Sequence, residues 1–205
     1  HWELEFADLF KERGGFDLIV GNPPWIKMTW NEQGVLSEYN PMFSIKKLSA
    51  SATSSLRNET LRNLNTEQEY TVSYSEQAGQ ISYYSAMSNY EVLSGQQANL
   101  YKCFLPQTWM FLSDIGTVGL LHPDGVYNDP KAESFRKQQY KRLIYHFQFR
   151  NEMKLFAEVA NREVYSINVY SSKEKPYFWS ISNLFYPTTI DECFDKGNTS
   201  PLKGS

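Results

Sequence analysis

The sequence predicts an α/β fold: a mainly parallel sheet with helices on both faces, carrying a helical insertion. Three observations predict it. Short apolar runs closed by glycine or proline recur along the chain, the pattern of strands buried on both faces. Helical spacings separate them, in the order strand, long helical segment, strand, helix, strand, strand, and parallel neighbours need such crossovers. Residues 28–97 differ in texture from the rest, being rich in Ser, Asn, Gln, Glu and Tyr.

His1 to Arg13 is short and amphipathic through Trp2, Leu4, Phe6, Leu9 and Phe10, and Gly14-Gly15 turns the chain. Phe16 to Val20 is an apolar run closed by Gly21 and reads as a buried strand. Asn22-Pro23-Pro24 stops it, because neither proline can donate to a ladder. Within 28–97 the spacings Phe43, Ile45, Leu48, then Leu56, Leu61, Leu64, then Tyr70, Tyr74 predict two to four helices. Ala98 to Leu112 is strongly helical in period, with Cys103 a small core residue. Pro106 should bend or split that helix, and Gly116 should cap its end. Thr117 to Leu121 is a second buried strand, stopped by His122-Pro123. Lys131 to Arg142 is a charged helix, Leu143 to Phe149 a third strand and Val164 to Tyr170 a fourth. The connection from Asn151 to Glu163 is short for a helical crossover, which leaves antiparallel pairing open for the last two strands.

Aromatic residues make up 16% of the chain, with 14 Tyr and 13 Phe, and can fill a core or stack on bases. The formal charge of −3 argues against a free-standing DNA-reading domain, which is usually basic. A catalytic domain whose sequence-reading partner lies elsewhere in the chain escapes that argument. Cys103 and Cys193 have no partner at metal-ligand spacing and the three His are scattered, so no metal site and no disulfide framework are expected. No apolar run reaches the length of a membrane span and no signal peptide opens the chain, so no membrane partner is expected and the compartment reads as cytoplasmic. A start at His1 and a polar end from Lys196 to Ser205 read as a piece of a longer polypeptide. Arg136, Lys137, Lys141 and Arg142 form a basic cluster, read as a solvated helix face with phosphate contact as the alternative. No Ser-His-Asp arrangement stands out.

One stretch carries chemistry: Phe16-Asp17-Leu18-Ile19-Val20-Gly21-Asn22-Pro23-Pro24-Trp25. It resembles the catalytic motif of amino-group methyltransferases, Asn-Pro-Pro followed by an aromatic. The resemblance extends along the chain. His1 to Phe6 is similar to the stretch preceding the catalytic strand, Ala98 to Phe104 to the helix after it, and Gly119 to Pro123 to the next strand and its end. Leu155 to Val159 before Val164 to Ile167 looks like the loop and strand that close the target pocket. Together these stretches resemble the methylase domain of large restriction-modification-type, adenine-specific DNA methyltransferases of bacteria, and the likeness is least specific over 28–97. It implies a partial Rossmann-like fold dependent on S-adenosylmethionine, with 1–205 as the catalytic, target-amine half and 28–97 inserted within it. It implies Asn22, Pro23, Pro24 and Trp25 as catalytic residues, Trp25 and Phe156 as contacts to an extruded base, and Asn22 and Asn99 near the cofactor.

The chemistry accounts for these residue types. The exocyclic amine of adenine is a poor nucleophile because its lone pair is delocalised into the ring. Two acceptors aimed at its hydrogens make the nitrogen more amine-like and hold the lone pair toward the methyl donor. The Asn22 side-chain oxygen and the Pro23 carbonyl can be those acceptors, held in place because proline fixes φ. Placement of amine and donor then dominates, and no charged base is needed at the attack step. The target atom is inaccessible inside a duplex, so the base must swing out, and the Trp25 ring offers it a stacking face.

The chain departs from the family in one respect. The family binds S-adenosylmethionine through a glycine-containing loop and an acidic residue on earlier strands, and neither is present. The expected partners are therefore DNA and the remainder of a parent polypeptide, which would supply the cofactor-binding half and the target-recognition domain. The isolated piece is expected to be inactive. Alternative readings are a methyltransferase on protein glutamine or RNA, and a non-catalytic module that binds DNA or a partner.

Overall fold

The structure is a computed structural model in which residues 1–195 are described; the polar end at Lys196 to Ser205 lies outside the described residues. In chain order the elements are α1 (Trp2–Glu5), α2 (Ala7–Arg13), β1 (Phe16–Gly21), α3 (Glu32–Tyr39), α4 (Met42–Ile45), α5 (Ala50–Thr60), α6 (Leu64–Ser85), α7 (Leu100–Met110), β2 (Leu112–Pro123), α8 (Gly125–Asn128), α9 (Glu133–Arg142), β3 (Leu143–Arg150), β4 (Val164–Ser171), β5 (Trp179–Leu184) and α10 (Thr188–Asp195). They form two compact units, the first of residues 1–26 with the chain from Leu100 onward and the second of residues 27–99.

The second unit holds α3 to α6, each of its longer helices started by a side-chain cap. Asn31 Oδ1 accepts from Gly34 N at 3.0 Å, Ser49 Oγ from Ala52 N at 3.3 Å, and Asn63 Oδ1 from Asn65 N at 3.0 Å, each satisfying an amide the helix leaves without a partner. Leu36 and Phe43 form its buried centre. Glu32 ties three segments together by accepting from Arg57 at 3.3 Å and from Tyr70 Oη at 2.7 Å.

The first unit is built on a five-stranded sheet in the order β1-β2-β4-β3-β5. The α/β class expected from the sequence stands, and helices cover both faces. Within the class the pairing is mixed: β1–β2 and β3–β5 are parallel, while β4 runs antiparallel to both β2 and β3. The short connection before β4 has no room for a crossover helix, so the strand returns beside β3. On one face, Val118, Leu120 and His122 of β2 and Ser166, Asn168 and Tyr170 of β4 are buried; ring contacts join them to α7 and α9 through Tyr101, Trp109 and Phe135. The other face is aromatic: Phe147, Phe149, Tyr165 and Leu184 form a buried cluster, against which Trp25, Phe156 and Ile190 of α10 pack.

Several sequence expectations are corrected. Phe16 to Val20 is a strand, but an edge strand, not a buried one: Leu18 and Val20 are 64% and 75% exposed. Apolar composition marks a strand suited to burial without showing what pairs with it. Pro106 neither splits nor ends α7, which runs through it to Met110; burial of Tyr101, Cys103, Leu105 and Thr108 along that helix offsets the lost hydrogen bond. Gly116 does not cap a helix. It lies within β2, where an added Cβ would stand 2.6 Å from the Phe16 carbonyl oxygen. Its smallness lets β1 approach β2 through a register irregularity between Phe16 and Leu18. Gly116→Val is therefore expected to destabilise the protein by about 1–3 kcal/mol through overpacking, seen as a lowered urea midpoint; an unchanged midpoint would show that this approach is relaxed. Finally, β5 and α10 fall where the sequence predicts no element.

Candidate active site

The chain leaves β1 at Gly21 and turns at once into Asn22-Pro23-Pro24. Parallel pairing places this corner beyond the carboxyl end of β1, beside the end of β2, since Gly21 pairs with Leu120. Open α/β sheets keep their ligands at such strand ends. Asn22 and Pro24 are exposed and Pro23 is buried, so the corner is anchored at its centre and open at its first residue. All three line a cavity of about 440 Å³, whose other walls include Leu18 and Val20 of β1 and Phe104, Gln107, Thr108 and Phe111 at α7. The lining is apolar apart from Asn22, Gln107, Thr108 and backbone, and holds no charged side chain. It suits an uncharged ring or thioether and offers no counter-charge to an ionic group.

Trp25 points to the other side. It packs on the aromatic face of the sheet, with its ring centroid 5.6 Å from Phe156 and 6.0 Å from Tyr165. The structure thus brings Trp25 and Phe156 together, but in direct contact. A base held between two rings separates them by about 7 Å, twice the stacking distance of neighbouring bases, so the pair must part to admit one. The Trp25 indole N–H and the Tyr165 hydroxyl are buried and make no hydrogen bond, an uncommon state for such groups.

The Phe156 loop is held by a residue that sequence reasoning missed. Asn151, wholly buried, donates through Nδ2 to the carbonyls of Phe156 at 2.9 Å and Val159 at 2.8 Å, and accepts through Oδ1 from Phe156 N at 3.1 Å. One carboxamide closes the loop by mimicking a backbone turn. The polar position directly after an apolar strand was the available signal.

A buried polar layer lies beside the same strand ends. His122 Nδ1 is 2.9 Å from the Pro123 carbonyl, and its Nε2 is 2.9 Å from Asn168 Nδ2 and 3.2 Å from Tyr170 Oη. This pattern suits the neutral ring, with Nδ1–H donating to Pro123 and Nε2 accepting. Burial lowers its pKa to about 4. Asp124 would be raised by burial, but hydrogen bonds from His146, Gln148 and Ser166 hold its carboxyl below its ordinary value. His146 bridges Asp124 Oδ1 at 3.0 Å and Ser180 Oγ at 3.1 Å. Ser180, His146 and Asp124 thus form a hydrogen-bonded line that the sequence, with these residues far apart, did not reveal. Two of its members are buried within the sheet face, where the line ties β5 and β3 to the end of β2.

Asn99 belongs to the second unit, where it bridges Lys27 across an isolated antiparallel pair, and its Oδ1 is buried with no hydrogen bond. Its assignment to the cofactor rests on the family resemblance. Of the basic cluster on α9, Arg142 and Lys141 bind Glu174 and Arg136 donates to the Asp129 carbonyl. Among the described residues no group of His, Cys, Asp or Glu could hold a metal ion, and no helix is long and apolar enough to cross a membrane.

No curated protein matches the chain in sequence. Among solved structures, the methyltransferase subunit of a type I restriction-modification system from Streptococcus thermophilus is similar over 94% of this chain and 34% of that one, at 13% identity and a TM-score of 0.44. A DrdV–DNA complex is similar over 87% of this chain and 15% of that one, at 17% identity and a TM-score of 0.46. A nuclease-deletion mutant of the Type ISP restriction-modification enzyme LlaGI, in complex with a DNA substrate mimic, is similar over 93% of this chain and 14% of that one, at 15% identity and a TM-score of 0.43. The chain therefore spans about a third or less of these solved chains. The sequence model of the Eco57I restriction-modification methylase matches residues 1–156, most of the chain including the Asn22-Pro23-Pro24-Trp25 corner, and the chain belongs to that family.

Proposed function

We propose that this chain carries the target-amine half of an S-adenosylmethionine-dependent methyltransferase that modifies the exocyclic amino group of adenine in DNA, within a bacterial restriction-modification or phage-defence protein of the cytoplasm. One observation carries the reading: Asn22 stands exposed on a cavity of about 440 Å³, in a corner fixed by two prolines at the end of a parallel strand.

In this reading the Asn22 side-chain oxygen and the Pro23 carbonyl accept hydrogen bonds from the two amine hydrogens. A planar, conjugated amino group has its lone pair in the ring's π-system; two acceptors set off the ring plane favour a pyramidal nitrogen whose lone pair is available. The prolines hold these acceptors before substrate arrives, so little reorganisation is required at the moment of reaction. Trp25 and Phe156 part to stack on the extruded base, and Asn151 keeps the Phe156 loop from drifting.

The apolar lining supplied by Leu18, Val20 and Phe104 fits the uncharged adenosyl portion of the cofactor, with Asn22 at its edge. When bound, the cofactor supplies an electrophilic methyl group. The lining gives nothing to neutralise the charged amino-acid end, which falls to the remainder of the parent polypeptide. The exposed, apolar β1 edge supports that division, because such an edge calls for a further strand. The chain alone is expected to bind the cofactor weakly; tight, stoichiometric binding measured by calorimetry would overturn this division.

The acceptor class is tested with the full-length protein and methyl-labelled S-adenosylmethionine, offered duplex DNA, RNA or protein. Label is expected in DNA, at N6 of adenine after digestion to nucleosides. Label confined to protein or RNA, or transfer to none of the three, would overturn the reading.

A further inference from the structure

At the opposite end of the sheet from Asn22, a second cavity of about 300 Å³ opens among the start of β3, the end of β4 and the start of β5. The pairing carries Gly21 through Leu120 to Asn168, so the cavity's Ser171 lies three residues further along β4, roughly 10 Å, and β2 stands between β1 and β4, which adds roughly another 10 Å across the sheet. A ligand in this cavity therefore lies outside the target-amine site.

Its walls combine cations with aromatic rings: Arg142, Lys173 and Lys175 beside Tyr177 and Trp179. Tyr177 and Trp179 are 61% and 55% exposed and meet edge to face, with centroids 6.1 Å apart. Lys175 Nζ stands 5.9 Å from the Tyr177 ring centre. The one carboxylate of the segment, Glu174, is taken up by Arg142 at 2.8 Å and Lys141 at 3.2 Å. Among the described residues Lys173 and Lys175 are therefore left without an acidic partner. A bond from Lys175 N to the Lys141 carbonyl at 2.6 Å ties this loop to the end of α9. Lysines alone would suffice to discourage edge pairing of β5. Two large exposed rings beside them do the reverse, adding apolar surface that a ligand with a flat face would cover.

We propose that this cavity binds a nucleotide, its phosphate between Lys173 and Lys175 and its base stacked on the exposed face of Trp179, with Tyr177 against the base's edge. Cations that follow a phosphate, with rings that stack on any base, form a recognition surface for single-stranded nucleic acid that tolerates many sequences. The volume lies at the small end of ligand pockets, about 300 Å³ and upward, which admits one nucleotide and excludes a duplex. A nucleic-acid strand and a free nucleotide present the same chemistry. The inference does not depend on methyl transfer.

The test compares the full chain with Lys173→Glu/Lys175→Glu, Trp179→Ala and Trp179→Phe, using a dye-labelled single-stranded oligonucleotide followed by anisotropy and a mononucleotide followed by tryptophan quenching. The charge reversal is expected to weaken binding at least about tenfold and to flatten the salt dependence, by about 0.7 in logarithmic slope per lost phosphate contact. Trp179→Ala is expected to weaken binding about tenfold, while Trp179→Phe, which keeps a stacking face, retains most of it. Binding of the oligonucleotide alone assigns the site to a strand, and equal binding of the mononucleotide assigns it to free nucleotides. Binding of neither probe, or affinities unchanged in every variant, overturns the proposal.

Discussion

Asn22→Ala in the full-length protein is expected to lower the rate of methyl transfer by about 10²–10³, the effect of deleting one pre-positioned hydrogen-bonding group at a reacting centre. The loss should fall on kcat, because the contact strengthens as the amine nitrogen becomes pyramidal, while the rest of the base and its DNA are bound by other groups. Asn22→Asp keeps an oxygen at the same reach and should retain more activity than Ala. Asn22→Gln carries its carboxamide one methylene further and should lose most of it. Folding should change little, within about 0.5 kcal/mol, because Asn22 is exposed and outside the core. Single-turnover methylation with enzyme in excess over DNA checks the series. Wild-type turnover in Asn22→Ala would remove the side chain from the mechanism.

Acid should weaken the fold between pH 6.5 and 4 through His122. The unfolded ring takes up its proton near 6.5, while burial depresses the folded value to about 4. Above the unfolded value both states are neutral and the stability is fully present. As pH falls below it, only the unfolded chain binds the proton, and stability drops by about 1.4 kcal/mol per pH unit until the folded ring also titrates. The total is on the order of 3 kcal/mol. Protonation also breaks the arrangement around Nε2, which accepts from Asn168 and Tyr170. Asp124, whose carboxyl is held below its ordinary value of 3.8, contributes stability lost only at still lower pH, so the two effects separate. Urea unfolding at pH 7 and pH 4.5 measures the difference, and His122→Gln should shrink it. A stability independent of pH across this interval would show that the ring is not held neutral.

The part of the fold legible in the sequence is the part where local composition and tertiary position agree. The stops at Gly21 and Pro23, the periodic run through Leu100 and Cys103, and the charged run at Lys131 to Arg142 each mark an element that the structure contains. β5 and α10 escaped because their partners are remote. β5 reads Trp-Ser-Ile-Ser-Asn-Leu and is exposed at most positions, so no buried period marks it, and its pairing with β3 is decided by the sheet. The edge position of β1 escaped for the converse reason, since its composition is that of a strand paired on both sides. At the candidate site, the proline-locked corner was legible because its chemistry lies in consecutive residues. Asn151, Asp124 and His146 were not, because each matters through partners brought in by the fold. The contact between Trp25 and Phe156 shows a related limit: both residues could be nominated singly, while their separation is a property of packing.

The most direct measurement is the structure of the full-length protein bound to DNA and a non-reactive cofactor analogue. The account predicts an adenine turned out of the duplex, its N6 within about 3 Å of both Asn22 Oδ1 and the Pro23 carbonyl oxygen, with the ring stacked on Trp25. A target base that remains in the helix, or an extruded one whose amine is held elsewhere with Asn22 turned away, would contradict it.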